Sequence, residues 1–257
     1  MMNPDKEEQI LRRRMLDLAN NAYSRGICLF TDFLNLNEQN IFIHLKKEMP
    51  RIEYFTYGGF CDAERKILCF CGNDLIVQPD DIDFPISCIK VEPLNHKFSD
   101  NFNHRDFLGS ILGLGIDRCK LGDILIHENE GFVFAHNSIS SFIAEQLTKV
   151  KHTMVSAAII EQKDFDYKPK FQEITGTVSS IRLDSILSVA FHCSRSSITG
   201  LIEGGKVFVG GKVILSNSYS LKEDDVVSVR GLGKFVYAGT SYLTKKGRYS
   251  VKILLYA

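Results

Sequence analysis

The sequence predicts an α+β protein of three small modules, and three observations lead to this prediction. Apolar residues recur at helical spacing in some segments and alternate as in strands in others. Polar, proline-containing stretches at residues 79–85 and 162–170 interrupt the chain. The charge is uneven, because 31 basic and 31 acidic residues balance overall, yet 11 Lys and Arg face only 5 Asp and Glu after residue 180. We therefore expect domains at residues 1–75, 82–161 and 181–257.

The N-terminal module is expected to be a small mixed α+β domain. Apolar residues at helical spacing predict a helix over residues 7–22, and Asn37 is placed to cap a second helix that runs to Lys47. Alternating apolar and aromatic residues then predict strands at residues 52–57 and 66–70.

The pattern of the central module predicts the order β-α-β-β-α-β. The segments are a strand at 86–91, a helix at 103–114, strands at 121–127 and 132–135, a helix at 138–149 and a strand at 154–160. This is the order of the ferredoxin-like fold, which many RNA-binding modules share. Phe132 and Phe134 are spaced like the base-stacking rings of an RNA-recognition motif, but Glu130 stands where that motif has Lys or Arg. We expect both rings to lie in the core.

The C-terminal module is expected to begin with two short helices. One apolar stripe marks the first helix, and Arg182, Ser185 and Ser188 lie off this stripe. The stripe consists of Leu183, Ile186, Leu187, Ala190 and Phe191. After a break, Ser194 is placed to cap a second helix, which Gly204 ends. Strands follow at residues 207–209 and 213–215.

Arg195 is unusual for its position in the first turn of the second predicted helix. The positive end of the helix dipole disfavours a cation there, and no acidic residue is close in sequence. A phosphate would reverse this preference, because helix N-terminal N–H groups bind phosphate and a guanidinium can add a bidentate grip. The alternative is a solvated arginine without a ligand.

The C-terminal module resembles the S-four (alpha-L) RNA-binding domain. The similar segments, in the family's order, are Arg182-Leu183-Asp184, Ser194-Arg195, Ile202 to Val207 and Asp224 to Gly231. The resemblance implies RNA contacts by Arg182, Ser194, Arg195 and Lys206, whereas Asp184 is expected to brace the helices. Charge and neighbourhood add Lys212, Arg230 and Lys234 as further candidate contacts.

The rest of the chain resembles the bacterial YlmH family. The central segments that carry the resemblance are His104 to Gly109, Leu112 to Ile116 and Gly122-Asp123-Ile124. The N-terminal segments are Thr31-Asp32-Phe33-Leu34 and Gly58 to Lys66. Val150-Lys151-His152 departs from the family, in which an Ile-Gly-Arg-like turn is expected.

The family resemblance implies a non-catalytic RNA-binding protein, and no cofactor is expected. The charged first residues, Met1 to Gln9, and the lack of a long apolar run lead us to expect a soluble, cytoplasmic protein. Its expected partners are ribosomal RNA and tRNA on the large ribosomal subunit, with no membrane or DNA partner. The family is understood to act on stranded peptidyl-tRNA while stalled chains are extended with alanine. Two alternatives stay open: an RNA-modifying enzyme, since Arg182-Leu183-Asp184 is similar to a pseudouridine-synthase motif, and an interaction adaptor linked to cell division.

The sequence disfavours three other classes of protein, namely kinases, membrane-spanning proteins and zinc-binding proteins. His104-Arg105-Asp106 resembles a kinase catalytic loop, but Ile111 stands where the loop requires Asn. No apolar run is long enough for a membrane span. Cys69 and Cys71 are the closest pair of cysteines, but neither a second pair nor a His cluster lies at zinc-ligand spacing. We therefore expect buried free thiols without a metal. They are Cys28, Cys61, Cys69, Cys71, Cys88, Cys119 and Cys193.

Overall fold

The chain folds into two compact units, Met1–Asp166 and Tyr167–Ala257. The computed structural model describes residues 4–60, 63–72, 78–127, 129–161, 165, 171–245 and 247–256, with the backbone alone at Pro4, Asp5 and Phe98. The predicted end of the first module at residue 75, Cys61 and Asp62 of the N-terminal motif, and most of the predicted linker at 162–170 lie outside these ranges. The boundaries of the three predicted domains stay predictions.

The first unit begins with two helices packed on a three-stranded sheet of order β1-β3-β2. The elements are α1 (Pro4–Arg25), β1 (Cys28–Leu34), α2 (Leu36–Leu45), β2 (Glu53–Tyr57) and β3 (Lys66–Cys71). Both predicted helices and both predicted strands are confirmed, but β1 was not predicted. All strand pairs in this sheet are antiparallel.

The predicted cap of α2 is wrong, because Asn35 caps this helix instead of Asn37. The Asn35 side chain accepts a hydrogen bond from the Glu38 N–H at 3.0 Å, and the Asn35 N–H donates to the Glu38 carboxylate at 2.7 Å. Glu38 lies three residues after Asn35, so only Asn35 completes the reciprocal capping box.

The second sheet of the first unit has the predicted ferredoxin-like topology. The elements are β4 (Ile86–Pro93), α3 (His104–Leu112), β5 (Leu121–His127), β6 (Glu130–His136), α4 (Asn137–Gln146), β7 (Lys149–Val150) and β8 (Thr153–Ile160). The strand order is β5-β6-β4-β8-β7, and the pairs are antiparallel. α4 ends before its predicted limit at Lys149, because Lys149 starts the short strand β7. Lys151 turns this hairpin with φ +57°, a backbone conformation that favours glycine.

Both faces of the second sheet are covered within the first unit. On one face, Ile89 and Val133 pack with Phe107 of α3 and Ile143 of α4. On the other face, Phe134 packs with residues of the first sheet, including Phe33 and Ile67. The two sheets therefore share an apolar interface.

The motifs that carry the family resemblance meet beside this apolar interface. The Asp123 carboxylate accepts hydrogen bonds from the N–H groups of Glu64 at 2.5 Å and Arg65 at 3.1 Å. The Arg65 guanidinium donates to the carbonyl oxygens of Leu121 at 2.8 Å and Phe33 at 3.1 Å. Arg65 thus connects β1 with β5 and the loop before β3. We call Phe33, Glu64, Arg65, Leu121 and Asp123 the Arg65 cluster.

A second polar contact links β1 with the segment that leads into β5. The Asp32 carboxylate lies 2.6 Å from Lys120 Nζ and 3.1 Å from Arg14 Nη2. Burial raises the pKa of Asp32, but the hydrogen bond and charge of Lys120, with the charge of Arg14, outweigh this effect and lower the pKa below 3.8. Asp32 therefore stabilises the fold in its ionised form.

The second unit packs two helices on one face of a six-stranded antiparallel sheet. The elements are β9 (Phe171–Val178), α5 (Leu183–Phe191), α6 (Arg195–Glu203), β10 (Val207–Val209), β11 (Lys212–Val213), β12 (Val226–Val229), β13 (Gly233–Leu243) and β14 (Tyr249–Tyr256). The strand order is β11-β10-β12-β13-β14-β9. Both predicted helices are confirmed. β9 precedes the predicted start of this module at residue 181 and forms the edge of its sheet.

The apolar stripe of α5 lies against this sheet, as the sequence predicts. Leu183, Ile186 and Leu187 are fully buried with Val207 and Phe235 of the strands. Among the described helices of the whole chain, none is long and apolar enough to cross a lipid bilayer.

Candidate nucleic-acid interface

The start of α5 holds one arginine against a buried carboxylate. Arg182 precedes the helix, and its Nε and Nη2 lie 3.1 and 3.3 Å from the two oxygens of Asp184. Asp184 is 8% exposed, so this bidentate pair fixes the guanidinium plane. The predicted role of Asp184 as a brace agrees with this geometry. Arg182 itself remains half exposed.

Ser185 connects this pair to Arg195 on the second helix. Its N–H donates to Asp184 Oδ1 at 2.9 Å, and its hydroxyl lies 3.4 Å from the same oxygen. Arg195 Nη2 donates to the Ser185 hydroxyl at 3.4 Å. Arg182 therefore contacts the carboxylate directly, and Arg195 reaches it through the Ser185 hydroxyl. Two guanidinium charges against one carboxylate leave a net positive charge. We call Arg182, Asp184, Ser185 and Arg195 the arginine pair site.

Sequence reasoning missed Ser185, which is 3% exposed although it lies off the apolar stripe. Its position directly after Asp184 in the first turn of α5 is a weak signal, because Ser and Asp are common there for capping alone. Only the packing of α5 against α6 shows that its hydroxyl reaches Arg195.

The start of α6 has the geometry that the sequence predicts. The Ser194 hydroxyl accepts a hydrogen bond from the Ser197 N–H at 3.3 Å, which confirms Ser194 as the cap. The first turn contains no acidic residue. Within the described part of the chain Arg195 makes no ion pair, and its side chain is exposed. The helix dipole and both arginines thus favour an anion at this place.

The remaining predicted contact residues lie on or beside the sheet. Lys206 and Arg230 are adjacent, because the Arg230 N–H donates to the Lys206 carbonyl at 2.9 Å. Lys212 is exposed on the edge strand β11, and Lys234 is partly buried on β13. The seven predicted residues therefore form two groups, one at the helix starts and one along the sheet. Their contacts with RNA stay predictions.

The base-stacking surface of the central module is covered. Phe134 is 1% exposed, and its ring centre lies 5.0 Å from the centres of the Phe60 and Phe165 rings. Phe132 also packs against Phe165, at 5.5 Å between ring centres. The expectation that both rings belong to the core is confirmed for Phe134, whereas Phe132 is partly buried against the same cluster. The sheet face that an RNA-recognition motif uses is thus occupied by the chain itself.

The cysteines are less scattered than the sequence suggests. Strand β1, which was not predicted, pairs Cys28 with Cys71, and their sulfurs lie 2.8 Å apart. Cys69 lies on the same face of β3 as Cys71, so three possible ligand sulfurs lie within 4.8 Å of one another. Burial raises the pKa of Cys71 to about 12 and raises that of Cys69 as well, so these two thiols are protonated at neutral pH.

Comparison with known proteins identifies the family. A model described as "Putative RNA-binding domain in YlmH" matches residues 79–165, and the S4 domain model matches residues 181–227. Over 225 residues the chain is 31% identical to the Ribosome-associated protein quality control protein P2 of Bacillus subtilis (strain 168), covering 86% of this chain and 84% of that protein. The chain belongs to the YlmH family.

A solved structure supports the fold of this YlmH-family chain. The Cell division protein ylmH from Streptococcus pneumoniae matches with a TM-score of 0.50 and 18% identity, covering 64% of this chain and 96% of that one. At this identity the similarity shows the fold alone. The S4 match confirms the S-four resemblance and includes the whole arginine pair site of this YlmH-family chain.

Proposed function

We propose that this chain is a non-catalytic RNA-binding factor of the large ribosomal subunit. In this proposal it binds subunits that carry stranded peptidyl-tRNA, with the S4 domain between ribosomal RNA and tRNA. It stabilises the tRNA between rounds of alanine addition to the stalled chain. The name of the Bacillus subtilis relative, a ribosome-associated quality control protein, supports this assignment.

The arginine pair site is the observation that carries the RNA-binding proposal. Arg182 is held in a fixed plane by Asp184, and Arg195 stands at a helix start where no described carboxylate pairs with it. A phosphate group that lies between the two guanidinium groups meets both of them together with the N–H groups of α6. Such contacts are independent of sequence and depend on salt.

Arg195→Ala tests this site with little risk to the fold, because the side chain is exposed. We expect affinity for purified large subunits to fall about tenfold at moderate salt, and the slope of log K against log salt to decrease by about one. Arg51→Ala is the matched control, since Arg51 is an exposed arginine of the acidic first unit. Cosedimentation unchanged by Arg195→Ala would refute the assigned surface.

The translational part of the proposal needs a separate measurement. Deletion of the gene is expected to reduce alanine tails on stalled chains, and subunits recovered with the protein are expected to carry peptidyl-tRNA. The ribosomal RNA nucleosides are expected to stay unchanged. A lost modified nucleoside would instead support an RNA-modifying enzyme, and recovery of protein partners after nuclease treatment would support an adaptor.

A further inference from the structure

The sheet of the second unit has one face that the helices leave uncovered. Side chains alternate along each strand, so Val207 and Val227 point toward α5 and α6, whereas Phe208 and Ser228 point to the opposite face. The helix-side residues are buried, and those on the opposite face are partly exposed. This outer face is separate from the arginine pair site, which lies at the helix starts.

One row of side chains crosses the outer face over all six strands. Its members are direct cross-strand partners: Phe208 pairs with Val213 and with Ser228, Ser228 pairs with Lys234, and Tyr256 pairs with Phe171. Lys234 and Tyr256 lie on adjacent strands, and Lys234 Nζ is 4.5 Å from the Tyr256 ring centre. The strand register therefore brings rings and cations from distant parts of the sequence into one line.

The rings in this row lie beside positive charges. The Arg230 guanidinium lies 4.9 Å from the centre of the Phe208 ring, and within the described residues Arg230 makes no ion pair. The Phe171 and Tyr256 rings are 4.8 Å apart in an edge-to-face arrangement, and Phe171 is 40% exposed. We call Phe171, Phe208, Arg230, Lys234 and Tyr256 the aromatic face.

This combination fits unstacked bases better than it fits a duplex or another protein. Single-stranded nucleic acid is bound where bases stack on rings and guanidinium planes while cations follow the backbone. Phe208 and Tyr256 are three strand spacings apart, roughly 14 Å. Flat sheets of similar width stack two or three bases. The excess of basic residues after position 180 also favours a polyanion.

We propose that the aromatic face binds two or three unstacked nucleotides of single-stranded RNA. The inference rests on the proposed function in one respect, namely that the partner is RNA. It adds a second surface with a different role. The arginine pair site binds phosphate groups of any RNA, whereas the aromatic face selects RNA segments whose bases are not paired.

The test compares two probes with the full chain, a ten-nucleotide oligouridylate and a sixteen-base-pair RNA duplex. Phe208→Leu with Tyr256→Leu removes two rings and retains apolar side chains. We expect the double variant to lose tenfold or more in affinity for oligouridylate, measured by fluorescence anisotropy, and to retain duplex affinity. Tyr242→Leu is the matched control, because Tyr242 is 64% exposed on β13 outside the row.

The possible outcomes separate this inference from the proposed function. Arg195→Ala should weaken both probes. If Arg195→Ala weakens binding to both probes but the double leucine variant binds oligouridylate like the parent, the inference about the aromatic face is wrong. The proposed function then stands. If the parent protein binds neither probe nor large subunits, both fail.

A measurement on the unaltered protein covers the case in which the double variant does not fold. Photocrosslinking to oligo(4-thiouridylate), followed by peptide mapping, is expected to label Phe171, Phe208 or Tyr256. Crosslinks confined to the starts of α5 and α6 would overturn the inference.

Discussion

The Arg65 cluster gives a stability prediction that can be worked from its distances. Arg65→Ala removes donors from three carbonyl oxygens, those of Leu121 at 2.8 Å, Phe33 at 3.1 Å and Arg118 at 3.3 Å. Bonds from a charged donor contribute about 1.5–3 kcal/mol each. Burial and, next to it, the neighbouring Arg65 charge lower the pKa of Arg118 to about 10, so the substitution also relieves some repulsion. We therefore count only the two shorter bonds at the lower value and expect a loss of about 3 kcal/mol.

Urea unfolding followed by circular dichroism measures this loss, since the chain contains no Trp for fluorescence. With a slope of about 2 kcal/mol/M, the midpoint of the first unit should fall by about 1.5 M. Hydrogen exchange should increase in β1, β3 and β5 and stay unchanged in residues 171–256, because the cluster lies within the first unit. Arg105→Ala, an exposed arginine on α3, is the control and should change stability by less than about 0.5 kcal/mol. A loss below about 1 kcal/mol for Arg65→Ala would refute the proposed role of these bonds.

Two further predictions concern the two units separately. His192 ends α5 in a left-handed conformation with φ +52°, which glycine adopts without strain, so His192→Gly should stabilise the second unit by about 1 kcal/mol in thermal unfolding. An equal or lower midpoint would contradict this. The lowered pKa of Asp32 means that its ion pairs stabilise the first unit above pH 3.8 and that this contribution is lost as pH falls through the folded-state pKa. Asp32→Asn should therefore cost about 1 kcal/mol at pH 7 and progressively less as the pH falls below 3.8; a cost that does not change with pH would exclude ionisation as the cause.

The local elements of the chain were predictable because each depends on neighbouring residues. The stripe of α5 and the cap at Ser194 follow from spacing and from one side chain next to its own helix. The β-α-β-β-α-β order follows from the succession of such segments. Strand β1 was not predicted, because Cys28 to Leu34 mixes polar and apolar residues without regular alternation. Its burial comes from contacts with distant residues of both sheets.

The family motifs show a different limit of sequence reasoning. Gly58 to Lys66 and Gly122-Asp123-Ile124 were recognisable as motifs, yet their spacing does not reveal that they meet each other. The structure places Arg65 and Asp123 in one cluster between two sheets. Gly59 is required there, because with φ +100° a Cβ atom would lie 2.2 Å from the Phe134 ring. These motifs therefore hold the first unit together.

The sequence by itself determined the family, the α+β class, the start of α6 and the residues that point to RNA, since composition, periodicity and motifs are local properties. Tertiary structure decided which of these residues act together. Ser185 and Arg195 are ten positions apart and meet only because α5 packs on α6, and Phe208 and Tyr256 share a face only through strand register. The same pairing of strands and sheets buried Phe134 and assembled the cysteine cluster. Contacts between distant segments depend on how surfaces pack, and this information is not contained in the local pattern of any one segment.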